Sequence, residues 1–124
     1  MTHYLQYSGL GILFVLSLSA CTTTNNDLYH WGHYESLIHT MYNEPGSATP
    51  EEQITTLQSD IEAAKGGNKP IPPGLYAHLG FMYSLTGNMA SAVDFFNREK
   101  ELFPESAVVI DRLTKRANNI RNSQ

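Results

Sequence analysis

A single cysteine, Cys21, stands in 124 residues, so no disulfide within one copy can brace the chain and no thiolate cluster can hold zinc. Charge is absent from the first 20 residues, which carry no Lys, Arg, Asp or Glu. Cations are scarce everywhere: 8 Lys and Arg face 12 Asp and Glu, for a net charge of −4, which argues against a nucleic-acid surface built on clustered basic residues. The longest apolar run, residues 10–18, is too short to span a bilayer as a permanent helix, which takes about 20 residues. No stretch alternates polar and apolar residues over a convincing strand length, no glycines gather into a phosphate loop, and no serine sits in a nucleophile elbow. These absences point to a small helical protein without an obvious reaction.

What the chain does have is helical punctuation. Leu37, Ile38, Met41 and Tyr42 recur at helical spacing, which predicts a helix over 34–43 that ends at Asn43-Glu44-Pro45-Gly46. A second begins at Thr49-Pro50-Glu51-Glu52, where Thr49 can cap, Pro50 suits the first helical position and Glu52 can reach back to the cap. Its apolar face is Ile54, Leu57, Ile61 and Ala64; Gly66-Gly67-Asn68 stops it near residue 65, and prolines at 70, 72 and 73 hold the linker extended. Near the C-terminus, Ile110, Leu113, Ala117 and Ile120 predict an amphipathic helix over 106–118, with basic residues toward its favourable end. The expected fold is all-α, about five helices.

Residues 73–106 carry a spacing of another kind. Tyr76, Leu79, Gly80 and Tyr83 fall on W-x2-L-G-x2-Y, Ala92, Phe96 and Pro104 complete A-x3-F…P, and Gly87-Asn88 supplies the turn. The unit resembles one tetratricopeptide repeat, a helical hairpin that serves as a docking platform. One repeat cannot bury its own apolar face, so helices 34–43 and 50–65 are expected to form a degenerate repeat on one side and the C-terminal helix to cover the other. The resemblance places Ala77, His78, Phe81, Ser84 and Leu85 on or near the concave binding groove, with Phe81 as the anchor. It departs at Glu99, where the repeat usually has a small residue. A carboxylate there is expected to be exposed or paired with a base such as Arg112.

At the other end, Leu18-Ser19-Ala20-Cys21 closes the apolar run and resembles a bacterial lipobox. That resemblance implies removal of a signal peptide, residues 1–20, and a lipid anchor on Cys21 as the only covalent group, with no other cofactor. Residues 21–27 would then be a lipidated tether, 28–121 the helical domain and 122–124 a tail. Thr22 in place of Asp implies sorting to the outer membrane, facing the periplasm.

In order, the lipobox, W-G-x-Y-E from Trp31, the TPEEQI helix, P-P-G-x-x-A-H-L-G from Pro72 and L-F-P-E-S from Leu102 resemble a family of small proteobacterial lipoproteins with a domain of unknown function. Members are often encoded beside a lipoprotein similar to the curli secretion channel and another small lipoprotein. The resemblance implies a non-enzymatic accessory of an envelope complex that binds protein and neither nucleic acid nor a small-molecule substrate. A second reading is a pilotin-like lipoprotein that escorts a channel subunit to the outer membrane. A third, a metal-dependent hydrolase, would need His30, His33 and His39, but Gly32 interrupts them and no carboxylate or thiolate completes a ligand set.

Overall fold

The structure, a computed structural model, describes residues 27–123; the expected signal peptide, residues 1–20, and Cys21 lie outside the described residues. Five helices follow one another: α1 (Tyr34–Asn43), α2 (Pro50–Gly66), α3 (Leu75–Leu85), α4 (Met89–Leu102) and α5 (Ala107–Asn122), with a short 3-10 turn, Pro104–Ser106, before the last. No strand occurs among the described residues, and the fold is all-α as expected. None of these helices is long and apolar enough to cross a membrane.

Local chemistry sets the helix ends. The Glu52 N–H donates to Thr49 Oγ1 at 3.2 Å and the Thr49 N–H donates back to the Glu52 carboxylate at 2.8 Å, a closed capping box that starts α2 with Pro50 behind it. Asn88 starts α4 by accepting the Ser91 N–H at 3.1 Å. Each such cap stabilises its helix by about 1 kcal/mol. The C-terminal helix starts at Ala107 because Pro104 first makes the 3-10 turn, and it continues past residue 118 to Asn122.

α3 is the centre of the molecule. Leu75, Tyr76, Leu79 and Met82 are buried against Ile54, Leu57 and Ile61 of α2. A second apolar cluster, Ala92 and Phe96 of α4 with Ile110 and Ala117 of α5, lies beyond it, and Phe81 and Tyr83 touch both. Full burial of one Leu or Phe stabilises by about 1.5–3 kcal/mol, so these two clusters carry the fold without a disulfide. α3 and α4 approach closely at Gly80, where a Cβ would lie 2.7 Å from Phe96 Cδ1 and 3.0 Å from the Ala92 carbonyl oxygen.

α1 differs from the rest, for none of its residues is fully buried. Tyr34 and Leu37 pack on the core, and the segment before α1 is tied down by polar contacts. The His30 N–H donates to the Pro70 carbonyl at 2.9 Å, and an aromatic series runs from Tyr29 through Trp31 and Tyr34 to His78 at centroid distances of 6.1, 6.4 and 6.1 Å.

Candidate functional site

Of the five buried polar residues, Gln53, Asp60, His78 and Glu99 lie at the helix junctions. Glu99, only 1 % exposed, meets backbone amides in place of a base: the Gly74 N–H donates to Oε1 at 2.7 Å and the Ala77 N–H to Oε2 at 3.2 Å. The residue before α3, Gly74, has no side chain to cap the helix and sits at φ +92°, so a carboxylate from α4 does the capping. Arg112 is exposed, and the expected Glu99–Arg112 pair is absent. Burial pushes the Glu99 carboxyl above its ordinary range, while the N–H groups of Gly74, Ala77 and Tyr76 pull it back and the nearby Glu105 charge adds to the rise. Tyr34 closes this junction. Its Oη lies 2.6 Å from where a Cβ on Gly74 would stand, and its phenol is pushed up to about 12 by burial first, then by the Glu99 charge and by Tyr42.

Asp60 of α2, also buried, accepts the His33 N–H at 2.7 Å and His33 Nδ1 at 2.8 Å, which makes Nδ1 the protonated nitrogen. It thereby anchors the start of α1. His78 Nε2 donates to Gln53 Oε1 at 2.8 Å, and Gln53 Nε2 donates to the Ala48 carbonyl at 3.0 Å. Burial holds the His78 imidazole below its usual value, so it stays neutral.

The five groove positions on α3 do not share one open face. His78 and Ser84 are buried, the latter donating its hydroxyl to the Phe81 carbonyl at 2.6 Å. Ala77 and Phe81 are half-buried against the α4–α5 cluster, and the Arg116 guanidinium lies 5.6 Å from the centre of the Phe81 ring. Leu85 alone is exposed. Packing of the α4–α5 cluster covers part of Ala77 and Phe81, and His78 is taken up by Gln53 of α2 and Tyr34 of α1. Of the three histidines before and in α1, His33 is engaged by Asp60, and among the described residues no three His, Cys, Asp or Glu side chains are gathered as a metal site.

A more open surface lies between α2 and α4. Tyr76 and Tyr83 stack on Phe95 at centroid distances of 5.8 and 5.5 Å, and Arg98 covers the Phe95 ring at 5.3 Å. A cleft of about 440 Å³ opens beside Tyr76, Arg98 and Leu102, and one of about 310 Å³ beside Ile61, Phe95 and Arg98. The sequence signal for this platform was the seven-residue spacing of Tyr76 and Tyr83 with Phe95 and Arg98 three apart; read only as repeat filling, it gave no hint of a surface.

Buried Glu99, Asp60 and His78 at the joints between helices, with aromatic surface between α2 and α4, mark a small all-helical domain. The chain belongs to the family described as domain of unknown function DUF4810, whose sequence profile matches residues 28–113. No curated protein and no solved structure matches it.

Proposed function

We propose that the protein is an outer-membrane lipoprotein, anchored through Cys21 and facing the periplasm, whose tetratricopeptide-like domain is a non-catalytic adaptor or assembly accessory of an envelope complex. The partner in this reading is a curli-channel-like lipoprotein together with another small lipoprotein. The observation that carries it is the use made of the buried polar residues. Glu99, Asp60 and His78, the groups most suited to acid–base chemistry, are each engaged in holding one element to the next. The lipobox before Cys21 and the aromatic surface between α2 and α4 support the same reading. Phe81, half-covered by α5, keeps a partial exposure beside Leu85, so the α3 surface stays a candidate contact.

The test is affinity purification of the lipidated full-length protein from its native envelope in mild detergent, with mass spectrometry, beside a Phe81→Asp variant and a Phe95→Asp variant. Recovery of a channel-like lipoprotein that is lost with either variant supports the adaptor and says which surface binds. A pilotin-like escort is the second reading, favoured by the lipobox; it predicts transient binding and a channel subunit that is mislocalised when Cys21→Ser blocks lipidation.

A further inference from the structure

α5 packs one face on α3 and α4 and leaves the other without a partner. That outer face begins with Val108 and Val109, 63 % and 56 % exposed, and continues with Arg112 and Lys115, while Arg116 at its edge turns over the Phe81 ring of α3. Four of the eight basic residues of the chain lie on α5, counting Arg121, and none of them forms an ion pair among the described residues. The one acid of the helix, Asp111, is already faced by Lys100 at 3.7 Å.

The α1–α2 end has the opposite character. Residues 27–64 hold seven carboxylates and no Lys or Arg. Asp60 is turned inward, but Glu44, Glu51 and Glu52 are exposed around the α1–α2 junction, beside Tyr42, which is 75 % exposed at the end of α1. α2 packs on α3 chiefly through the first apolar cluster and α5 through the second, so the acidic and basic ends approach α3 from different sides.

We propose that these two surfaces are the halves of one contact, in which α5 of one copy docks head to tail on the α1–α2 end of a second copy. Arg112 and Lys115 meet Glu44 and Glu51, and Val108 and Val109 cover Tyr42. The chemistry favours a second copy over an anionic membrane. A net charge of −4 opposes approach to negative lipid and to another copy alike, but only the second copy offers the α5 cations a matching cluster of carboxylates beside an exposed apolar ring. Single exposed ion pairs contribute little, so the charges set orientation and encounter rate while the apolar contact supplies the rest. The two surfaces are different, so the contact is heterologous and propagates into a series of copies unless a ring closes it.

The experiment is sedimentation velocity of the full chain in mild detergent at low and high salt, with two charge-reversed variants, Arg112→Glu/Lys115→Glu and Glu44→Lys/Glu51→Lys. Arg116 is left in place because it covers Phe81, and Glu52 because it closes the capping box. The wild-type chain is expected to associate with concentration and to weaken as salt rises past the point where the Debye length shrinks below about 10 Å. Either variant alone should associate at least about tenfold more weakly, and an equimolar mixture of the two should recover association, since the reversed α5 of one then meets the reversed α1–α2 end of the other and the two native faces meet as well. Misfolding cannot produce that recovery. A wild-type chain that stays monomeric at low salt, association that ignores both reversals, or a mixture that fails to recover would overturn the proposal. So would α5-dependent co-sedimentation with phosphatidylglycerol vesicles from a chain that never self-associates.

Discussion

The carboxylate of Glu99, on α4, accepts the backbone N–H of Gly74 at 2.7 Å and so caps a helix that begins 25 residues earlier. A second bond, to the Ala77 N–H, makes the capping two-handed. Glu99→Ala is expected to leave these first-turn donors unpaired in a dry site and to lower unfolding stability by about 2–3 kcal/mol in a denaturant titration. Arg112→Ala should change it by no more than about 0.5 kcal/mol, and the two substitutions should be additive.

The same carboxyl carries a pH signature. Its pKa in the fold is raised above 4.5, so between 4.5 and that raised value the folded state holds a proton that the unfolded state has lost. Stability from this group is therefore greatest at low pH and falls as pH rises through the window. Glu99→Gln keeps one acceptor and cannot titrate, so the plot of stability against pH should lose that falling limb.

His78 contributes the opposite slope. Burial lowers its pKa below 6.5, so the unfolded chain takes up a proton first as the medium is acidified. Its contribution is intact above 6.5 and is lost as pH falls from 6.5 through the lowered value. Replacing it by Gln should flatten the acid limb, at a cost in baseline stability from the lost bond to Gln53. Urea midpoints of the two proteins across that interval decide the matter.

These two side chains also mark where the sequence stops being readable. Helices over 34–43 and 50–65 were expected, and 34–43 and 50–66 are found, because caps, prolines and glycines act within a few residues of the ends they set. Glu99 and His78 were placed by their positions in the repeat pattern, which says which way a side chain points and nothing of what waits there. Their partners, Gly74 and Gln53, are each 25 residues away. Phe81 was read as facing a groove for the same reason, since only the packing of α5 decides that it is half-covered. The C-terminal helix runs four residues past its expected end: Ile120 already belonged to its pattern, but no glycine or proline follows Pro104 to mark where the helix stops.

Trp31 stacks on Tyr34 with ring planes 5° apart, while Tyr34 touches the Glu99 junction. Trp31→Ala should lower the melting temperature, and its coupling to Tyr34 in a double-mutant cycle should be about 0.5–1.5 kcal/mol. If the aromatic segment instead served only a surface contact, the melting temperature would not move.

Tyr34 itself should make the fold sensitive to alkali. Its phenol ionises at about 12 in the fold against 10.0 for an ordinary tyrosine, so the unfolded chain loses this proton first and stability falls as pH rises from 10.0 toward 12. Tyr34→Phe should soften that fall, read as the denaturation midpoint followed by circular dichroism, and should remove the highest step from an ultraviolet tyrosine titration.

Gly80→Ala sets two effects of opposite sign against each other. Alanine favours a helix by about 1 kcal/mol over glycine, and at an open site that would stabilise α3. Here the added Cβ would stand 2.7 Å from Phe96 Cδ1, 2.8 Å from Cε1 and 3.0 Å from the Ala92 carbonyl oxygen. The ring can tilt only within a filled core, and the carbonyl belongs to the helix, so α3 and α4 must separate at this contact. Strain of about 1–3 kcal/mol from such overpacking should outweigh the propensity gain and lower the melting temperature. Repeating the substitution in a Phe96→Leu background separates the two obstacles. The penalty of Gly80→Ala should shrink there without vanishing, because the shorter side chain withdraws the ring and leaves the carbonyl where it was. An equal penalty in both backgrounds would assign the contact to the backbone alone, and a stabilising effect in the wild-type chain would mean that α3 and α4 are not held together at Gly80.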